Sequence, residues 1–348
     1  MNSSKTAALP TPEPQRGTRF ALFVVVMTVA VVAIVGLTGL LIYNSLKLPR
    51  HDAKPVAPNV TVTTFLSFPE DNIYPVGLAR AADGTFYLSE FGTGAILKAD
   101  LQGKLMPIVA AHGALSAGGP LVVGPDGTLY VIDYANQNFG TLKRVTQDGT
   151  VQPFGIAPAN KSIALFAQMA FDDKGNLYVT NPSYGEVWRF DASGNGRVWW
   201  SAPAVANVAG LPTGIAFDAP KNAFIIGDTG TGTIYRIGIA DNGNSGDTLL
   251  MHRESSLDIR ALALDEADRV LFTGWQHDQD HLSRLEADGT VTVLAAGFRA
   301  PTALVYRDHK AYVVNSDLLG LAKVLGGAVP SPLQARPPFT VDVVSIGS

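Results

Sequence analysis

The sequence predicts an all-β fold, a six-bladed β-propeller, preceded by one N-terminal transmembrane helix. Three observations lead there. Six segments share one strand–turn–strand grammar and recur at intervals of about 40–48 residues, the period of propeller blades. The turns between them are rich in glycine, aspartate and proline, with 35 Gly and 22 Pro in 348 residues. Ahead of the repeats, Phe20–Tyr43 is a run without a single charge.

The totals narrow the function classes. Net charge is only −4 and no Lys/Arg-rich stripe is present, so the chain has no electrostatic footprint for nucleic acid. Cysteine is absent, which removes disulfides, a thiol nucleophile and thiolate-ligated metals. A composition 47% hydrophobic and 16% charged has the apolar surface a packed core requires.

Residues 1–19 carry Pro10, Pro12 and Pro14 and read as a disordered tail. The run at 20–43, FALFVVVMTVAVVAIVGLTGLLIY, exceeds the roughly 20 apolar residues that a bilayer core requires. It has no polar face, unlike a core helix. It is also longer than the roughly 7–15 apolar residues of a cleaved signal peptide, and Ile42-Tyr43-Asn44-Ser45 makes a poor cleavage site. Basic residues flank both ends equally (Lys5, Arg16 and Arg19 against Lys47, Arg50 and Lys54), so charge alone sets no orientation. A short tail ahead of the span and a large domain behind it read as a signal anchor: single-pass in the cell membrane, N-terminus inside, C-terminal domain extracytoplasmic. Residues 44–59 form a linker, whose Pro49, Pro55 and Pro58 favour a short stiff spacer.

The propeller occupies 60–348. Its repeated units begin at GLARAADGTFYLSE (Gly77–Glu90), PLVVGPDGTLYVID (Pro120–Asp133), QMAFDDKGNLYVTN (Gln168–Asn181), GIAFDAPKNAFIIGD (Gly214–Asp228), ALALDEADRVLFTGW (Ala261–Trp275) and TALVYRDHKAYVVN (Thr302–Asn315). A third strand follows each of the first five, as in GEVWRFD (Gly185–Asp191), and a fourth leads to the next unit. Asp-Gly pairs suit the hairpins, because glycine tolerates φ > 0 and aspartate bonds its own backbone. One blade cannot bury both faces alone, so the units stack in a ring. Val60–Phe68 alternates like a strand and is expected to complete the sixth blade beside Lys323–Leu325, with the C-terminal FTVDVV (Phe339–Val344) as the alternative. A closed ring makes its own core, and a monomeric head is expected.

The strings Tyr74-Pro75-Val76-Gly77-Leu78, Asp83-Gly84-Thr85-Phe86-Tyr87 and Leu211-Pro212-Thr213-Gly214-Ile215-Ala216 resemble the NHL repeat and the wider six-bladed superfamily. That superfamily includes the SMP-30/gluconolactonase group, strictosidine-synthase-like proteins and virginiamycin B lyase. The resemblance spans the whole repeat region. It implies the propeller fold and, for the lactonase group, a divalent metal held by the Glu of an E-G-P motif, an Asn and an Asp. Here the first blade opens on Tyr74-Pro75-Val76-Gly77, without an acid, and Thr213 stands where the Asn would be.

The rim where inner strands begin and second strands end is the default site. Inner-strand starts offer Tyr74, Gln168, Thr213, Arg260 and Thr302 as ligand-binding candidates, and the rim loops add Tyr184, Trp275 and His277. Arg260 suits an anionic ligand, or else pairs with a neighbouring acid such as Asp258 or Asp228. Glu90, Asn181 and Asp228 end equivalent strands and form the candidate oxygen set for a Ca²⁺-like divalent cation. The competing reading makes that column a set of turn-capping side chains. Trp275–His281 gathers two His and two Asp, in a spacing that fits no zinc pattern. No Gly-rich phosphate loop and no nucleophile elbow are present. Two functions follow: a membrane-anchored propeller binding a protein, peptide or glycan on its loop-rich face, or a divergent metal-dependent lactonase or esterase.

Overall fold

In the computed structural model, residues 52–70, 73–134, 140–162, 165–276, 279–317 and 337–347 are described. Six antiparallel sheets form the expected blades. Blade one comprises Pro75–Arg80, Phe86–Glu90, Ile96–Ala99 and Leu105–Val109, from the axis outward. The innermost strands of the other blades are Gly118–Val123, Met169–Phe171, Pro212–Asp218, Asp258–Leu264 and Pro301–Arg307. Each packs on the next and the sixth on the first, so the ring closes and blades three and six stand opposite each other. The segment read as a membrane span lies outside the described residues. Among the described residues no helix is long and apolar enough to cross a membrane.

Second strands show why the sequence needs the ring. Phe86–Glu90, Leu177–Asn181 and Ala223–Asp228 are buried along their whole length. Alternation therefore gives way there to near-continuous β-branched and aromatic residues, because both faces of the blade meet a neighbour. Val179 and Trp188 pack towards blade two, with Ile132 and Leu142. Tyr178 and Val187 pack towards blade four, with Phe224 and Tyr235. The hairpins follow the predicted chemistry: Asp83 Oδ1 accepts the Thr85 N–H at 2.9 Å, and Gly84 takes φ +95°.

The seam is built from both ends of the described chain. Pro301–Arg307 and Lys310–Asn315 are followed by Phe339–Ile346 as third strand, and Val60–Phe68 adds as the outermost. Val60–Phe68 thus completes blade six as expected, but its partner is Phe339–Ile346 (Val60 opposite Ile346, Phe68 opposite Phe339). Residues 323–325 lie outside the described residues. Phe339–Ile346 suits that place because its Phe339 and Val341 fill the core facing blade one, together with Phe86 and Leu88.

The C-terminal part of the expected spacer is packed. Lys54–Pro55 pairs antiparallel with Val291–Phe298, Lys54 opposite Ala296, as a fifth strand on blade five. The N–H groups of Val56 and Ala57 both point to the Leu294 carbonyl, at 2.9 and 3.2 Å. Ala53 and Ala57 pack against the core shared by blades five and six. Proline is tolerated at Pro55 because this is an edge strand.

Candidate functional site

Inner strands run away from the predicted rim and second strands return to it, so both sets of candidate residues gather at one face. The channel below is a cavity of about 270 Å³. Leu78, Leu121, Ile215, Leu262 and Leu304, one from each of five blades, line its wall. Arg80 and Gln168 are its polar side chains.

Gln168 spans the mouth. Its side-chain Nε2 donates to the Thr302 carbonyl at 2.9 Å, joining blade three to the opposite blade six. The Thr302 hydroxyl is buried without a partner. Thr213 is held in a blade-four/blade-five junction, with its hydroxyl 2.9 Å from that of Thr229 and within reach of the Ile259 carbonyl. Tyr74 forms an edge-on contact with Phe339, 5.1 Å between centroids, and its carbonyl accepts the Phe91 N–H.

Arg260 is fully engaged. Its Nε donates to Asp258 Oδ2 at 2.8 Å and one terminal nitrogen to Asp280 Oδ1 at 2.9 Å. Asp280 Oδ2 also accepts the Ala300 N–H at 2.7 Å. Burial pushes the Asp280 carboxyl up from its ordinary range, while the Arg260 cation pulls it back down. Two carboxylates against one guanidinium leave this cluster a poor receptor for an anion. Of the two acids named as partners from sequence, Asp258 pairs and Asp228 does not.

The candidate metal set is dispersed over blades one, three and four. Glu90 accepts a hydrogen bond from Thr93 Oγ1, and burial raises its carboxyl above the usual carboxylate range. Asp228 Oδ1 accepts the N–H groups of Leu211 at 3.0 Å and Thr231 at 2.9 Å, which is turn capping. Asp133 does the same for Ser116 and Ala117. Both amide atoms of Asn181, and Asp228 Oδ2, are buried without partners. Among the described residues no group of three or more His, Asp or Glu side chains converges to hold a metal ion.

Of the rim-loop candidates, His277 lies outside the described residues. Tyr184 is 39% exposed, with the Lys161 ammonium 4.5 Å from its ring centroid. Trp275 is 43% exposed, whereas Trp188, Trp199 and Trp200 are buried. Leu211, at 40%, joins them. The three lie along one arc. The turn bearing Tyr184 abuts the connector before Leu211, so that a Cβ on Gly185 would stand 3.0 Å from the Gly210 carbonyl. Leu211 lies over Gly230 of blade four, and the Gly232 turn abuts Glu254, which accepts a hydrogen bond from Gln276 beside Trp275.

Sequence reading missed the hydroxyls that rivet neighbouring blades. Ser89 Oγ accepts the Gly77 N–H of its own blade and donates to the Gly119 carbonyl of the next. Thr180 Oγ1 accepts the Gln168 N–H and donates to the Thr213 carbonyl. The signal was present: a small hydroxyl one residue before the acid or amide that ends the second strand, in Ser89-Glu90 and Thr180-Asn181.

No protein-family model matches the chain, and no curated protein matches it in sequence. Its fold recurs among solved structures. A gluconolactonase from Xanthomonas campestris is 12% identical with a TM-score of 0.63, covering 86% of this chain and 99% of that one. Virginiamycin B lyase from Staphylococcus aureus is 11% identical with a TM-score of 0.57, over 82% and 99%. An auxiliary nutrient binding protein from Bacteroides thetaiotaomicron is 12% identical with a TM-score of 0.57, over 82% and 76%. The chain shares the gluconolactonase-like six-bladed propeller fold, and at such identities the likeness carries the fold alone.

Proposed function

We propose that the chain is a membrane-anchored, extracytoplasmic propeller that binds a protein, peptide or glycan partner on its loop-rich rim. The observation that carries this reading is the hydrogen bond by which Gln168 spans the channel mouth to Thr302, across the way in for a small substrate. The rim around that bond presents exposed Tyr184 and Trp275, residue types that anchor partners, with exposed Leu211 between them. Phe20–Tyr43 supplies the anchor, with a monomeric head outside. The full chain in detergent micelles, offered cell-envelope protein and glycan fractions, is expected to retain a ligand that Trp275→Ala and Tyr184→Ala release. Retention unchanged in both variants overturns the assignment to this rim.

One observation favours the second reading, a divergent lactonase or esterase using a Ca²⁺-like ion. Asn181 and Asp228 Oδ2 are buried oxygen donors without partners, on a fold shared with gluconolactonases. Lactone hydrolysis by the full chain that appears with Ca²⁺ and vanishes with EDTA would establish it and displace the binding reading.

A further inference from the structure

In blade four the arginine of the third strand meets an acid. Arg236 Nε donates to Asp218 Oδ2 at 3.0 Å, on the hairpin joining the two inner strands. Blade three carries the same residue types at the same places in the repeat, Arg189 and Asp172, but Asn176 stands between them. Its Nδ2 donates to Asp172 Oδ2 at 2.8 Å, and its Oδ1 accepts from a terminal nitrogen of Arg189 at 2.7 Å. Asp172 Oδ1 is taken by the N–H groups of Lys174 and Asn176. In the next turn, Asp191 likewise spends Oδ1 on the N–H groups of Ser193 and Asn195.

A second cation lies beside Arg189. The third and fourth strands of blade three are Glu186–Phe190 and Gly196–Ser201, and they place Arg189 directly opposite Arg197. Tyr178 stands opposite Arg189 on its other side and packs towards blade four, so the row shares that face. Like charges so placed repel. Both side chains are half-buried, where a charge is screened less than in open solvent. Arg197 reaches the blade-four turn, donating to the Gly243 carbonyl at 2.6 Å and to Asn244 Oδ1 at 2.8 Å. Among the described residues, the partners of both guanidinium groups are thus neutral oxygens. The Nε–H groups of both arginines are buried without an acceptor, and so is the indole N–H of Trp199, two residues beyond Arg197. The third strand leaves the rim at Glu186, which puts this cluster towards the opposite face.

From this geometry we infer that Arg189 and Arg197 form a binding site for a doubly charged tetrahedral oxyanion, inorganic phosphate or a small phosphomonoester. The guanidinium fork matches such oxygens, and a dianion compensates both cations where a single carboxylate compensates one. The site is remote from the rim arc and does not depend on the function proposed for it.

The test titrates the full chain in detergent micelles with inorganic phosphate and, separately, with glycerol 3-phosphate, at fixed ionic strength in chloride. Calorimetry is expected to show saturable binding of one anion per chain, and the tighter of the two identifies the source. Arg189→Gln keeps a donor for Asn176 and should weaken affinity about tenfold or more, as should Arg197→Gln. Arg144→Gln alters the equivalent position of blade two, where the residue opposite is Gln152, and should leave affinity unchanged. Phosphate should raise the melting midpoint of the parent chain, and nitrate at equal ionic strength should not. Absence of saturable binding by both anions overturns the site. So does affinity unchanged in both arginine variants, or a midpoint that nitrate raises as far as phosphate does.

Discussion

At the scale of single residues, several polar groups of the rim are committed to one another while others stay unpartnered. Gln168 is the clearest case, because one amide N–H crosses the channel to the Thr302 carbonyl. Gln168→Ala should cost about 1 kcal/mol, the usual net worth of such a bond, read as a lower denaturation midpoint. The same variant opens the mouth, so a soluble quencher or small ligand should reach the channel faster. Unchanged access would show that other groups close it. Asp342 is a second test. It accepts from Thr64 Oγ1 at 3.1 Å and Asn315 Nδ2 at 2.7 Å, and burial raises its carboxyl above the ordinary 3.8. A carboxyl raised in the folded state holds its proton longer than in the unfolded chain. Stability is therefore lost as pH climbs from the ordinary carboxylate range through the raised value. Asp342→Asn keeps an acceptor for Asn315 and offers a donor to Thr64. The stability gap between variant and parent should move in the variant's favour across that window. A gap that is flat in pH refutes the assignment.

Elements explain what was legible and what was not. Blade count, strand order and turns were readable because each unit repeats the same strand–Gly/Asp turn–strand pattern, and repetition multiplies a weak signal. The expected rim face held for the same reason, since strand direction alternates within each blade. The partner of Val60–Phe68 was less legible: Phe339–Ile346 and the segment around Lys323 are both apolar, and the pairing with Phe339–Ile346 shows only in the sheet register. The engagement of Arg260 by Asp280 was also hidden, because the two lie 20 residues apart and meet only through hairpin register. The docked strand Lys54–Pro55 escaped because a proline-rich stretch reads as a spacer unless an open sheet edge is known to be waiting for it. Inter-blade turns give a sharp element-level prediction. Gly232 has φ +61°, and a Cβ there would lie 1.9 Å from the Glu254 carbonyl. Gly232→Ala thus combines backbone strain with a backbone clash at the blade-four/blade-five junction, and should destabilise by about 2–4 kcal/mol. Gly289, with a similar φ but open space around it, should cost only about 1 kcal/mol when changed to Ala. Equal melting shifts in the two variants would show that the clash relaxes away.

At the scale of the whole molecule, closure decides whether the six blades behave as one body or as a stack of repeats. An open repeat array loses stability one interface at a time, because each unit leans only on its neighbours. In a ring, every blade has two neighbours only while the seam holds. Here the seam is Val60–Phe68 beside Phe339–Ile346, strands from opposite ends of the described chain. Removing residues 339–348 takes away the third strand of blade six and the partner of its fourth. It strips Phe339 and Val341 from the core facing blade one, and Val344 and Ile346 from the core facing blade five. The loss is not confined to one blade: Phe86 and Leu88 of blade one lose their cover as well. The truncated chain should show no cooperative melting transition and should bind dyes that report exposed apolar surface. Removing residues 1–51 instead leaves the docked Lys54–Pro55 strand and both seam strands in place. That head should melt in one transition at the temperature of the full chain. If the chain lacking 339–348 still melted sharply, closure would not be what couples the blades, and the ring would be six units in simple succession.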